Sequence, residues 1–220
     1  MAGSDSAESL QQHGLGLRDQ TTGPTWIAEI RPSRKVIDVA RERAVGWPVR
    51  LRTDRLLIRE PMEKDRSTVI EILTHPDTRA YVGGAVDYAS RQALELSPLG
   101  LTWGSWAICR AEDDQMLGSI SLGYDRGELE LVYALLPEHV GHGYAREACR
   151  AVIDWASESL DAPMLIAVTP HSNRRSYSLL THLGFTKRRG FEEFGQQQLL
   201  MELPLRAEAQ PADPSPTPAD

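Results

Sequence analysis

A chain of 220 residues that is 41% hydrophobic and 25% charged matches the globular average and is long enough to bury the core of one domain. Its formal net charge of −7 argues against a protein built to coat nucleic acid and mildly favours cationic partners. Cys109 and Cys149 stand alone, with no C-x-x-C, no export signal in MAGSDSAESLQQHG and no apolar run of the roughly 18 residues that a membrane span needs; the expected setting is cytoplasmic, without disulfides, bound metal or a membrane partner.

Residues 1–50 read as an extension. The start of the chain is polar and aperiodic, hence flexible or loosely docked, whereas RKVIDVARERA (34–44) places Val36, Ile37, Val39 and Ala40 at helical spacing ahead of GWPVR. The compact domain is expected over 51–205, and the proline-rich, acidic end, 206–220, as a disordered tail. Within the domain, DRLLIREP predicts a strand. MEKDRSTVIEILTHP predicts a helix ended by His75-Pro76, and SRQALEL a looser helix after Gly83-Gly84. The period then becomes two: WAICR, MLGSISLGY and ELELVYALL, separated by AEDDQ and DRG, predict an antiparallel meander. GYAREACRAVIDWASESL reads as a helix, MLIAVT as a buried strand, NRRSYSLLTHLG as another helix and FTKRRGFEEFGQQQLLMELPL as a closing hairpin. The predicted class is α/β (α+β), a mixed, mostly antiparallel sheet flanked by helices.

Between the meander and the next helix stands PEHVGHGYAREA. A helix start carries unpaired N–H groups and the positive end of the peptide dipoles, so it attracts anions without help from a cationic side chain. Glycine at 141 and 143 lets a phosphate approach the main chain closely. Taken alone, the pair is equally a plain turn at a helix entrance. A dinucleotide-binding fingerprint is excluded because Arg146 stands where its third glycine belongs, and a phosphate-loop hydrolase because no Gly-Lys-Ser/Thr follows.

The strand ELELVYALLPE, the loop VGHGYA and the helix after it resemble the acetyl-CoA-binding core of the GNAT acyltransferase superfamily, whose Q/R-x-x-G-x-G/A pattern falls on Val140, Gly141, His142, Gly143, Tyr144 and Ala145. Val140 replaces the usual Gln or Arg. TDRLLIREPMEKD resembles the opening of the RimJ/RimL-type N-acetyltransferases, and Asn173, Ser176 and Leu183-Gly184-Phe185 match their N-x-x-S…LGF segment. The similarity runs from about Leu51 to Leu205.

The resemblance implies the GNAT fold, with its fourth and fifth strands, here 131–136 and 164–169, splayed apart. It implies an acetyl-CoA-dependent N-acetyltransferase whose acceptor is a primary amine, on a protein N-terminus or a small molecule, with a homodimer left open. The pyrophosphate of acetyl-CoA would sit on residues 140–145, and the pantetheine arm would pair with the main chain around Tyr133 and Leu135 and meet Asn173, which also suits a helix cap. Glu130, three residues before Tyr133, is the expected base or amine-binding group, although Glu128 and Glu130 also suit a solvated strand face; Glu138 is a second candidate. Many members take their acid from a tyrosine seven positions after the asparagine; Leu180 stands there, so Ser176 is the expected donor to the thiolate, with a plain surface hydroxyl as the alternative. Arg174-Arg175 and Lys187-Arg188-Arg189 read as a solvated face or contacts to the adenosine 3′-phosphate, and Trp103, Trp106 and Trp155 as core or acceptor-pocket walls. A non-catalytic acyl-CoA-binding module is the alternative reading.

Overall fold

The computed structural model describes residues 46–79, 88–100, 102–193 and 195–206. The helix read at 34–44, the polar start, the Gly83-Gly84 pair and the tail beyond Arg206 lie outside these residues.

Eight strands form one sheet: β1 (Leu51–Arg52), β2 (Leu56–Arg59), β3 (Ser105–Arg110), β4 (Met116–Asp125), β5 (Glu128–Leu135), β6 (Met164–Pro170), β7 (Thr186–Glu193) and β8 (Gln196–Pro204), in the order β1-β2-β3-β4-β5-β6-β8-β7. Every neighbouring pair is antiparallel except β5 and β6. The helices are α1 (Arg66–Thr74), α2 (Pro76–Arg79), α3 (Tyr88–Leu96), α4 (Tyr144–Ser159) and α5 (Arg174–His182). The strands of the meander fall where period-two alternation puts them, and β7 and β8 form the expected closing hairpin. The two-residue β1 and the one-turn α2 were not read from the sequence. Pro76 does end α1, but a proline that cannot continue one helix suits the first position of the next, where its missing N–H has no bond to lose. Because β1 precedes the others, the splayed pair is the fifth and sixth strand of this chain.

The sheet has a core on each face. Leu129 and Leu131 of β5, with Leu56, Ile58, Trp106, Leu165 and Ala167, pack under Ala148, Cys149, Val152 and Ala156 of α4 and Leu180 of α5. On the opposite face Ile72 of α1 packs on Ala107, Cys109 and Met116, with Leu57 and Ala134 alongside. Trp106 lies in the first core, its ring edge-on to Trp47 at 4.9 Å and to Trp155 at 5.4 Å, while Trp103 packs against Trp47 at 6.2 Å. Trp103, Trp106 and Trp155 therefore belong to the core on the α4 side. Cys109 and Cys149 are buried, free thiols. Burial pushes Cys109 up to about 12, against a smaller downward pull from Arg59, and burial raises Cys149 as well.

β2 is locked to the start of α1 by a buried ion pair. Arg59, 1% exposed, donates to Asp65 at 2.7 and 3.1 Å and to Asp114 at 2.8 Å, and Asp65 also accepts the Met62 N–H at 2.8 Å. Two buried charges with their hydrogen bonds made in this way hold α1 in one register against the sheet.

Candidate active site

The loop after β5 makes one 3₁₀ turn at Pro137–His139 and runs through Gly141 and Gly143 into α4. Both glycines have positive φ, +93° and +82°, and Gly143 is the N-cap of α4, where it offers no side-chain oxygen to the helix. The Val140 N–H donates to the Pro137 carbonyl at 3.2 Å and that of Glu147 to the Gly143 carbonyl at 3.1 Å. Between them, the main-chain N–H groups of Gly141, His142, Gly143, Tyr144 and Ala145 have no acceptor among the described residues. Val140 thus drops out of the expected set of donors, its N–H already used and its side chain apolar. A β-carbon at Gly141 would meet nothing within 4 Å, so the loop presents an uncovered row of donors at the positive end of a 16-residue helix.

β5 supplies a second row. Its ladder to β4 begins at a two-residue turn, Arg126 at φ 53° and Gly127 at φ +85°, whose left-handed pair joins strands through a hydrogen-bonded Asp125–Glu128 rung. Alternation carries that bonding to positions 130, 132 and 134, and the Leu136 N–H on the Leu117 carbonyl at 3.0 Å confirms the phase. The main-chain groups of Leu129, Leu131, Tyr133 and Leu135 therefore face β6. Yet β5 and β6 pair only at Leu129 with Leu165 and Glu130 with Ile166. Beyond that point the strands part, leaving the main chain of Tyr133 and Leu135 turned into an opening between them. On the β6 wall of the opening the Thr169 hydroxyl is buried and has no hydrogen-bond partner among the described residues.

Chemistry-bearing side chains flank the opening on opposite faces of the sheet. On the α4 and α5 side the hydroxyls of Tyr133 and Ser176 are hydrogen-bonded at 2.8 Å. Burial raises the Tyr133 phenol well above its usual range, so it stays protonated, the Ser176 contact opposing only part of the shift. Asn173 caps α5, its side chain accepting the Ser176 N–H at 3.1 Å, which fixes the serine in the first turn of the helix. On the other face lies Glu130, half-buried, with no side-chain hydrogen bond among the described residues. Burial pushes its carboxyl up to about 7, with Arg126 pulling it down and Glu193 adding to the rise. Glu128, two residues away on the same face, differs through its partner. Arg188 donates to both its oxygens at 2.5 and 2.8 Å and holds its carboxyl below the ordinary carboxylate range. Of the two adjacent carboxylates, only Glu130 is left available to a substrate.

His142 is exposed between the glycines, its ring 5.9 Å from that of Tyr144, and Glu138 is exposed on the 3₁₀ turn. Leu180 is 1% exposed and belongs to the core. Arg174 and Arg175 are exposed at the start of α5, whereas Arg188 is tied to Glu128 and Glu202 and Arg189 lies over Phe191 at 5.0 Å. No group of three or more potential metal-ligating side chains occurs among the described residues, and none of their helices is long and apolar enough to cross a membrane. Spacing does not mark the Tyr133 phenol, the Thr169 hydroxyl or Arg55, whose guanidinium lies against the loop and donates to the His142 carbonyl at 3.0 Å; the one sequence signal for Arg55 is its place in the stretch TDRLLIRE.

The sequence profile of the "Acetyltransferase (GNAT) domain" matches residues 55–186. The "Uncharacterized N-acetyltransferase YoaA" of Bacillus subtilis (strain 168) is 26% identical over 149 residues, 62% of this chain and 82% of that protein. Among solved structures, an acetyltransferase from Agrobacterium tumefaciens str. C58 is 26% identical with a TM-score of 0.61, covering 72% of this chain and 95% of that one. Spermidine N-acetyltransferase from Vibrio cholerae, solved in complex with CoA and spermine, is 16% identical with a TM-score of 0.57, covering 70% of this chain and 97% of that one. That second likeness is one of fold.

Proposed function

The chain belongs to the GNAT acetyltransferase family and is an acetyl-CoA-dependent N-acetyltransferase, and from that premise we propose that it is of RimJ/RimL type, acting in the cytoplasm on a primary amine of a small molecule or a peptide N-terminus. The observation that carries this reading is the opening between β5 and β6, with a poised carboxylate on one face and a paired phenol and serine on the other.

The residues fit the donor. The free N–H groups of 141–145 suit the pyrophosphate, the main chain of Tyr133 and Leu135 suits the pantetheine amides, and the orphaned Thr169 hydroxyl offers a further hydrogen bond along the same wall. Asn173 is held to its cap and contributes by fixing Ser176. The amine enters from the Glu130 face. Glu130, directly or through one water, takes the proton that frees the nitrogen lone pair, a step made useful by the alkyl ammonium pKa near ~10. The nitrogen then attacks the thioester carbonyl, and a main-chain N–H of Tyr133 or Leu135 stabilises the oxyanion. Collapse of the tetrahedral adduct breaks the C–S bond, and the nitrogen gives up its second proton, through water, to the Tyr133–Ser176 pair once that pair has protonated the thiolate, leaving the neutral amide while Glu130 returns its own proton to solvent. The departing thiolate takes its proton from the Tyr133–Ser176 pair, which replaces the tyrosine missing at Leu180.

Tyr133→Phe should lower kcat by about 10²-fold while leaving acetyl-CoA affinity unchanged, and Ser176→Ala by a smaller factor. The Tyr133 loss should shrink with a thioester whose thiol is more acidic, because such a leaving group needs no proton; single-turnover rates with two donors check this. The whole reading is tested by calorimetry with acetyl-CoA followed by thiol release over a panel of small amines and peptide N-termini. Binding with amine-dependent release supports it, binding without release on any amine favours the non-catalytic module, and no binding overturns both.

A further inference from the structure

The first turn of α4 contains a charge that works against its own anion site. Glu147 is the fourth residue of the helix, and a carboxylate there competes with a pyrophosphate for the field at the helix start. The fold gives this carboxylate a full set of partners from the turn between β1 and β2. Its Oε1 accepts the Thr53 hydroxyl at 2.5 Å and the Arg55 N–H at 3.1 Å, and its Oε2 accepts from the Arg55 Nε at 2.7 Å and makes an ion pair with Nη2 at 2.6 Å. Burial alone would raise the Glu147 carboxyl, but the bonds from Thr53 and Arg55 outweigh it and keep the group ionised. The same guanidinium reaches past Glu147 into the loop: Nη1 donates to the His142 carbonyl at 3.0 Å, and the Arg55 Cζ lies 4.8 Å from the centre of the Tyr144 ring. The turn itself is braced, with the Thr53 N–H on the Leu56 carbonyl at 3.0 Å and the Leu56 N–H on the Thr53 hydroxyl at 2.9 Å.

Resting on the coenzyme-binding reading above, we infer that Arg55 is a positioning residue for the diphosphate seat. It cancels the Glu147 charge and pins the His142 carbonyl back, so that the loop turns donors rather than an acceptor toward the anion. An exposed surface pair would be worth little. This one is different because the arginine bonds a carboxylate and a loop carbonyl at once, joining the turn between β1 and β2 to a loop 87 residues further along the chain.

Activity alone would confuse two roles of Arg55. A side chain that merely supports the fold affects every donor equally, whereas one that tunes the anion seat affects only donors carrying the diphosphate. Steady-state kinetics with acetyl-CoA and with S-acetylpantetheine, which lacks the diphosphate, should show KM for acetyl-CoA rising about tenfold in Arg55→Met, with KM for S-acetylpantetheine unmoved. Arg55→Lys should fall between, keeping the charge but losing the fork. Adding Glu147→Gln to Arg55→Met should recover much of the lost affinity, because the charge left uncancelled is gone. Equal losses with both donors, or no rescue by Glu147→Gln, would overturn the inference. So would an unchanged KM for acetyl-CoA in Arg55→Met when the wild type binds it. A wild type that binds no acetyl-CoA would instead remove the coenzyme-binding reading itself, and this inference with it.

Discussion

Replacing Glu130 by Gln should lower kcat by about 10²- to 10³-fold, with the Kd for acetyl-CoA changed by less than about twofold. Gln keeps the size of the side chain and removes only the ability to take a proton. The carboxyl lies on the opposite face from α4, away from the loop that suits the coenzyme, so donor affinity has no reason to change. If Glu130 serves to bind the ammonium group rather than to deprotonate it, the variant raises KM for the amine and spares kcat, and the split between the two constants decides. The pH profile gives an independent check. Burial raises this carboxyl to about 7, so a base active in its ionised form makes kcat/KM rise with pH up to about 7 and level off above it; Glu130→Gln loses that limb. Stability runs the other way. A carboxyl with a raised folded-state value binds its proton more tightly folded than unfolded, so its contribution is greatest in acid and is lost as pH rises through about 7. The variant should therefore melt no lower than wild type at pH 8, which separates lost chemistry from lost fold. A variant with wild-type rates removes Glu130 from the mechanism.

Gly143→Trp should abolish acetyl-CoA binding, a loss of more than about 10²-fold by calorimetry. The position has φ +82°, where a side chain is strained, and a β-carbon there would come within 3.4 Å of Arg55 Nη2. The indole beyond it must then occupy the space in front of the free N–H groups of the loop. Strain at one left-handed position costs about 1–2 kcal/mol, which is too little to unfold a domain. Gly195→Ala imposes comparable strain at φ +66°, with nothing within 4 Å of the new carbon, and should leave affinity intact. Unchanged binding in Gly143→Trp would remove the loop as the coenzyme site.

The parts of this molecule written in local pattern were legible in its sequence. The meander strands, the apolar stripe of α4 and the glycine entrance to it need only neighbours a few residues away, and alternation alone put Glu130 and Tyr133 on opposite faces of β5. What local pattern does not encode is which partners the fold brings together. Glu128 and Glu130 look alike on a strand, and only the return of β7 with Arg188 leaves one tied and the other free. Tyr133 meets Ser176 across 43 residues and Arg55 meets Glu147 across 92, so neither contact leaves a trace in spacing. The two-residue β1 and the single turn of α2 are too short for any period to show.

The narrow seam between β5 and β6 also has a kinetic meaning. On the reading proposed above, a sheet that parts after one pair of rungs gives the two reactants separate doors, so that neither has to leave before the other arrives and the acetyl group passes in a single handover. Such a protein needs no covalent resting place for its cargo, and this one keeps both of its thiols sealed in the core, out of reach of the traffic.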